Sequence, residues 1–180
     1  MEQYTTVTRR IYEITGNNKL IDAIVYAYIK SRINYKTNVA DNVTEQEMSH
    51  HLGLSIDTVE NIVPRISKHP FLFEKVKQDE EIKIGSYKTY NRYHIAKDCE
   101  NFFYIYHSFF NDTINITNTV DRCKVKGLLL LIKSLCIKET NKYISDRPYK
   151  CRFNKSELAR KLGIDTDTLT KYLELAIRTG

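Results

Sequence analysis

The chain reads as a mainly α fold with a small β element, an α+β protein built from two copies of one helix-turn-helix unit. Three observations lead there. Asn154 followed by Glu157, and 110 positions earlier Thr44 followed by Glu47, are capping-box pairs that start a short helix. Leu162-Gly163-Ile164 and Leu52-Gly53-Leu54 each place a glycine where a left-handed residue ends such a helix. Asp165 and Ser55 then stand where a second helix needs its N-cap. Self-similarity on this scale means two copies of one structural unit.

Composition bounds the problem. A chain of 180 residues accommodates two units, each able to bury a modest core. The net charge is +6, and between Arg122 and Lys161 there are 12 basic residues against 3 acidic ones. A local excess of that kind attracts polyanions, nucleic acid above all. The four cysteines (Cys99, Cys123, Cys136, Cys151) show no C-x-x-C pair and no histidine cluster beside them, so neither zinc nor a disulfide framework is indicated. The start lacks a basic-then-apolar signal segment, and the longest apolar run, Leu128–Ile132, is too short to cross a bilayer. A cytoplasmic setting without membrane contact is the expectation.

In chain order, residues 1–18 read as a polar arm ending in the turn Gly16-Asn17-Asn18. Leu20–Ile33 is a helix with the apolar stripe Leu20, Ile21, Ile24, Val25, Tyr28 and Ile29; Asp22, Lys30 and Arg32 are expected to face out. Tyr35–Asn42 reads as a loop. In the first motif Val43 and Met48 form a hydrophobic staple, and Val59, Val63 and Ile66 the buried row. Pro64 should kink or end its helix. After His69-Pro70 the period changes to that of strands, around Phe71–Lys77, Ile82–Ile84 and Tyr87–Ile95, with Asp79-Glu80-Glu81 as a polar link. A hairpin placed there is a wing.

Residues 98–121 join the units through the aromatic patch Phe102, Phe103, Tyr104, Tyr106, Phe109 and Phe110. Such a patch could stack on single-stranded nucleic acid, but interdomain core is the expected role. Val125–Ile137 is the second unit's first helix, Lys138–Arg152 a basic loop, and Phe153 with Leu158 the second staple. The sequence stops at Gly180, where a second wing would begin, so residues 122–180 are expected to form a unit whose wing is absent or truncated.

The first helix, the capped motif, the hairpin and its closing strand Asn91-Arg92-Tyr93-His94-Ile95 together resemble the winged helix-turn-helix domains of plasmid and phage replication initiators. The likeness covers about Leu20–Lys97, residues 19–97 forming the first winged unit, with a second copy following. It implies tandem winged helix-turn-helix domains that bind double-stranded DNA, in replication initiation or, as the alternative, in transcription regulation. A winged unit serving as a protein-interaction scaffold also stays open, since fold does not fix function.

Helix-turn-helix proteins read base edges with the early exposed positions of the second helix. In the second copy these are Thr166, Asp167, Thr170 and Lys171, backed by Arg152, Lys155, Arg160 and Lys161. In the first copy they are Ile56, Asp57, Glu60 and Asn61, with Arg65 further on, and Lys83, Lys88 and Arg92 of the wing meet phosphates. Asn61 suits adenine, and Lys171 guanine or a phosphate. Two acids on the first reading face make the second copy the expected reader. Phosphate loops, metal-binding histidine spacings and activated nucleophiles are missing from the pattern, so no enzyme activity, metal, cofactor or small-molecule substrate is expected. The expected partner is double-stranded DNA, with a homodimer left open.

Overall fold

The computed structural model describes residues 3–83, 86–96, 101–111, 114–138, 140–143 and 154–179, without the side chains of residues 42, 78–83 and 86–90. The polypeptide folds as an α+β structure with one continuous buried cluster that draws on both units. Strand β1 (Tyr4–Thr8) is followed by a 3-10 turn (Arg9–Glu13) and helix α1 (Lys19–Ser31). The first eighteen residues are thus no detached arm: Val7, Ile11 and Ile14 are fully buried. β1 runs antiparallel to β5 (Phe102–Tyr106), with Tyr4 opposite Tyr106 and Thr8 opposite Phe102. A strand 94 residues away in sequence is its partner, so no local pattern could announce the pairing.

Helix α1 is buried on every side. Asp22 and Lys30, expected to face out, are 0 % and 3 % exposed. A helix enclosed by neighbours all round has no solvent face for its polar residues. Around α1 stand β1, helix α3 (Ile56–Ile66) and helix α5 (Thr119–Ser134). Where α5 crosses α1, Gly127 lies against the Leu20 backbone: a Cβ there would overlap the carbonyl oxygen and sit 2.7 Å from the carbonyl carbon. Glycine permits an approach that any other residue would block.

Residues 39–42, expected as loop, form strand β2 (Val39–Val43) together with Val43. Helix α2 (Glu45–Leu52) and α3 come next, and then strands β3 (Phe73–Lys83) and β4 (Ser86–Ile95) make the anticipated hairpin. Asp79–Glu81, expected as a link, are strand residues opposite Tyr90, Thr89 and Lys88. β2 pairs with the far side of β4, so the sheet order is β2-β4-β3. Pro64 remains inside α3, but its ring is exposed and the helix ends two residues later at Ile66. So close to the C-terminus, little helix is left for a missing donor to disturb.

After β5 come the short helix α4 (Ser108–Asn111), α5, α6 (Lys155–Leu162) and α7 (Thr166–Thr179), α4 lying in the expected connector. Each glycine turn abuts the first helix of the other unit. Gly53, at the end of α2, faces the Thr119 side chain at the start of α5, and the Cys123 thiol donates to the Leu52 carbonyl at 3.1 Å. Gly163, at the end of α6, lies beside the Lys19 ammonium, which donates to the carbonyls of Leu162 and Tyr12. This exchange is what makes the buried cluster continuous. No helix among the described residues is long and apolar enough to cross a membrane.

Candidate nucleic-acid interface

The helices α3 and α7 are each bounded by local caps. Thr44 Oγ1 accepts from the Glu47 amide at 3.0 Å, and Asn154 Oδ1 from the amides of Ser156 and Glu157 at 3.0 and 3.3 Å. Gly53 and Gly163 take the left-handed conformation, with φ of 67° and 63°. Ser55 Oγ then accepts from the Thr58 amide at 3.3 Å and Asp165 Oδ1 from the Thr168 amide at 2.7 Å, starting α3 and α7. Hydrogen bonds from the Thr168 hydroxyl and then from its amide hold the Asp165 carboxyl below its ordinary range. Val43 and Met48 close the first staple in the core; in the second Leu158 is buried, and Phe153 lies outside the described residues.

The glutamates three residues after Thr44 and Asn154 hold contacts that the sequence did not reveal. Tyr28 OH donates to Glu47 Oε1 at 3.0 Å, and Tyr143 OH to Glu157 Oε1 at 3.1 Å, so each binds a tyrosine of its own unit. Burial, reinforced by the neighbouring Glu47 charge, pushes the Tyr28 phenol well above its usual range.

The structure separates the expected contact residues into groups. Thr166, Lys155, Arg160 and Lys171 are exposed and Thr170 half-buried, all on α6 and α7. Lys171 Nζ donates to Asp121 Oδ1 at 3.3 Å and to Tyr172 OH at 3.4 Å, and Tyr172 OH donates to the same carboxylate at 3.0 Å. The Tyr172 hydrogen bond and then Asp121 raise the Lys171 ammonium above its ordinary value, so it keeps its charge. Lys161 lies 3.6 Å from Glu157 and 5.2 Å above the Tyr143 ring. It stiffens α6 rather than reaching far into solvent.

Asn61 is exposed and donates Nδ2 to the Asp57 carbonyl at 2.7 Å, one turn back along α3. Arg65 is not directed at a ligand. Its Nε and Nη2 grip the two carboxylate oxygens of buried Asp22 at 2.7 and 2.5 Å, binding α3 to α1. Burial pushes the Asp22 carboxyl above its ordinary range, against the opposing pull of Arg65. The bidentate pair, not a DNA contact, accounts for this arginine. Arg92 Nε donates to Asp41 Oδ1 at 2.6 Å, joining β4 to β2. Lys83 and Lys88 are placed on β3 and β4 by their backbone, with side chains outside the described residues; Arg152 lies outside them altogether.

Charge on the outer faces distinguishes the helices. On α7 the exposed charges Asp167, Lys171, Glu174 and Arg178 cancel; on α3 Asp57 and Glu60 remain while Arg65 is engaged by Asp22. Comparison of the chain with protein-family models, curated proteins and solved structures finds no match to any of them.

Proposed function

We propose that the chain binds double-stranded DNA without catalysis, through two helix-turn-helix units of which residues 19–97 form a winged one. The observation that supports this reading is the element order α1-β2-α2-α3-β3-β4, in which the β3–β4 hairpin follows two locally capped helices and β2 pairs with β4. The role matching the sequence resemblance is origin recognition by a replication initiator; transcription regulation uses the same contacts. In this reading α7 is the major-groove helix, presenting Thr166, Thr170 and Lys171 to base edges while Lys155 and Arg160 meet the backbone. A protein-interaction role for the first unit has its own support in the exposed Ile56 at the start of α3, followed by the exposed acids Asp57 and Glu60.

The test is a binding titration against mixed-sequence duplex at two salt concentrations. Counterion release lowers log K by about 0.9 per phosphate contact for each tenfold rise in salt, so a handful of contacts gives a steep slope. Lys171→Glu places a second carboxylate beside Asp121 and should weaken binding about tenfold or more, whereas Asn61→Glu should cost less. Binding insensitive to salt would point to a protein partner. Loss through Asn61→Glu alone would make α3 the reader.

A further inference from the structure

The aromatic segment 102–110 divides by strand period. On β5 Phe103 and Ile105 enter the core, while Tyr104 and Tyr106 are 53 % and 55 % exposed. Tyr4, opposite Tyr106 on β1, is 53 % exposed and meets the Tyr104 ring edge-on at 5.1 Å. Phe102 adds a further edge-on contact with Tyr104 at 5.4 Å. Tyr35, 63 % exposed, donates its hydroxyl to the Tyr4 carbonyl at 3.1 Å and extends the row across the β1 edge. The expectation of interdomain core therefore holds for one face of the ribbon and not for the other. No step of duplex binding by α3 and α7 uses these rings.

We propose that the outer face of the β1–β5 ribbon is a stacking platform for single-stranded DNA. Alternate residues of a strand stand about 6.6–6.8 Å apart. That is roughly twice the 3.4 Å rise per nucleotide of a stacked strand, so a single strand drawn out to about double its stacked rise lays successive bases against successive rings. A duplex cannot use the site, because its base faces are stacked inside and it would offer the rings only phosphates. Grooves of about 890 and 860 Å³ flank the ribbon. Their charged lining is Arg32 on the β1 side, Lys133 and Lys138 on the β5 side, and one carboxylate, Asp41, which Arg92 already holds. Arg32 is itself bound to Glu47 at 2.6 Å, so the excess of positive charge lies along β5. Rings bordered by cations fit a polyanion with exposed π-faces better than a second copy bearing the same cations.

The experiment measures anisotropy of a labelled oligothymidylate and of a mixed-sequence duplex with the full chain, wild type and Tyr104→Ala, Tyr106→Ala and Tyr104→Phe. Each alanine variant should weaken single-strand binding about fivefold or more, while Tyr104→Phe, which keeps the ring, should stay within about twofold. Both rings are exposed, so the fold should survive, and duplex affinity should be unchanged. Absence of single-strand binding, or alanine variants that bind the oligothymidylate like wild type, overturns the proposal. A wild-type dimer in sedimentation that Tyr104→Ala dissociates also overturns it, by showing that a second copy covers the face. Loss of duplex binding with single-strand binding intact would instead refute the helix-turn-helix reading and leave this one standing.

Discussion

Replacing Arg65 by alanine tests whether that residue serves the fold or a ligand. The change removes both hydrogen bonds to Asp22, whose side chain is wholly buried, while Arg65 itself is 31 % exposed. Breaking a buried ion pair from one side costs about 3–5 kcal/mol, and the partly exposed guanidinium argues for the lower end, about 3 kcal/mol. For a chain of this size that lowers Tm by roughly 6–12 °C. The pH dependence has a definite sign. Burial raises the Asp22 carboxyl in the folded state, so the folded chain holds the proton more tightly than the unfolded one. The stability contribution of that proton is complete below the unfolded pKa of about 4 and is lost as pH rises through the raised folded value. Removing Arg65 raises the folded value further, which makes the penalty of Arg65→Ala largest at neutral pH and smaller on acidification. His69 also faces this carboxylate and persists in the variant. Urea unfolding followed by circular dichroism at pH 7 and pH 4.5 measures the effect, and Asp22→Leu/Arg65→Leu, which leaves no charge unpaired, should recover most of the loss. A cost below about 1 kcal/mol at pH 7, or one independent of pH, would refute the structural assignment. So would unchanged stability with lost duplex binding.

Gly127→Ala drives a methyl into the Leu20 backbone, which cannot move without separating α1 from α5; a loss of about 3 kcal/mol or more is expected in the same urea assay. Both Gly53→Ala and Gly163→Ala pay about 1 kcal/mol for a side chain at positive φ. Gly53→Ala should lose more, because its methyl also meets Thr119 Cγ2 at 3.2 Å whereas the nearest atom to Gly163 is the movable Lys19 Nζ at 3.5 Å. Lys19 is held by burial at a pKa of about 8, below its unfolded value, so the folded chain binds fewer protons between pH 8 and 10 and gains stability as pH rises there. Lys19→Met should abolish that gain in a pH series of thermal melts.

Interactions within a few residues were legible in the sequence. The caps at Thr44, Ser55, Asn154 and Asp165 and the glycine turns at Gly53 and Gly163 follow from backbone groups that a helix end leaves unpaired, and each residue named for them adopts that role. The hairpin followed from aromatic and β-branched runs on either side of a polar segment. Tertiary structure decided what those elements meet. Asp22 and Lys30 look like the solvent face of α1 because their neighbours are apolar in helical period, but α3, β1 and α5 close around the helix, and Asp22 meets Arg65 of α3. Arg65 looked like a DNA contact because a cation on a helix declares its charge but not its partner. β2 is short, with Asp41 and Asn42 interrupting its apolar residues, and its hydrogen-bonding partner β4 lies some fifty positions further along the chain. The division of the aromatic segment was fixed by strand alternation, but which half met water depended on β1 arriving from the other end of the unit. Local capping is encoded within three or four residues, whereas burial, ion pairing and strand pairing depend on chain segments that only the closed fold brings together.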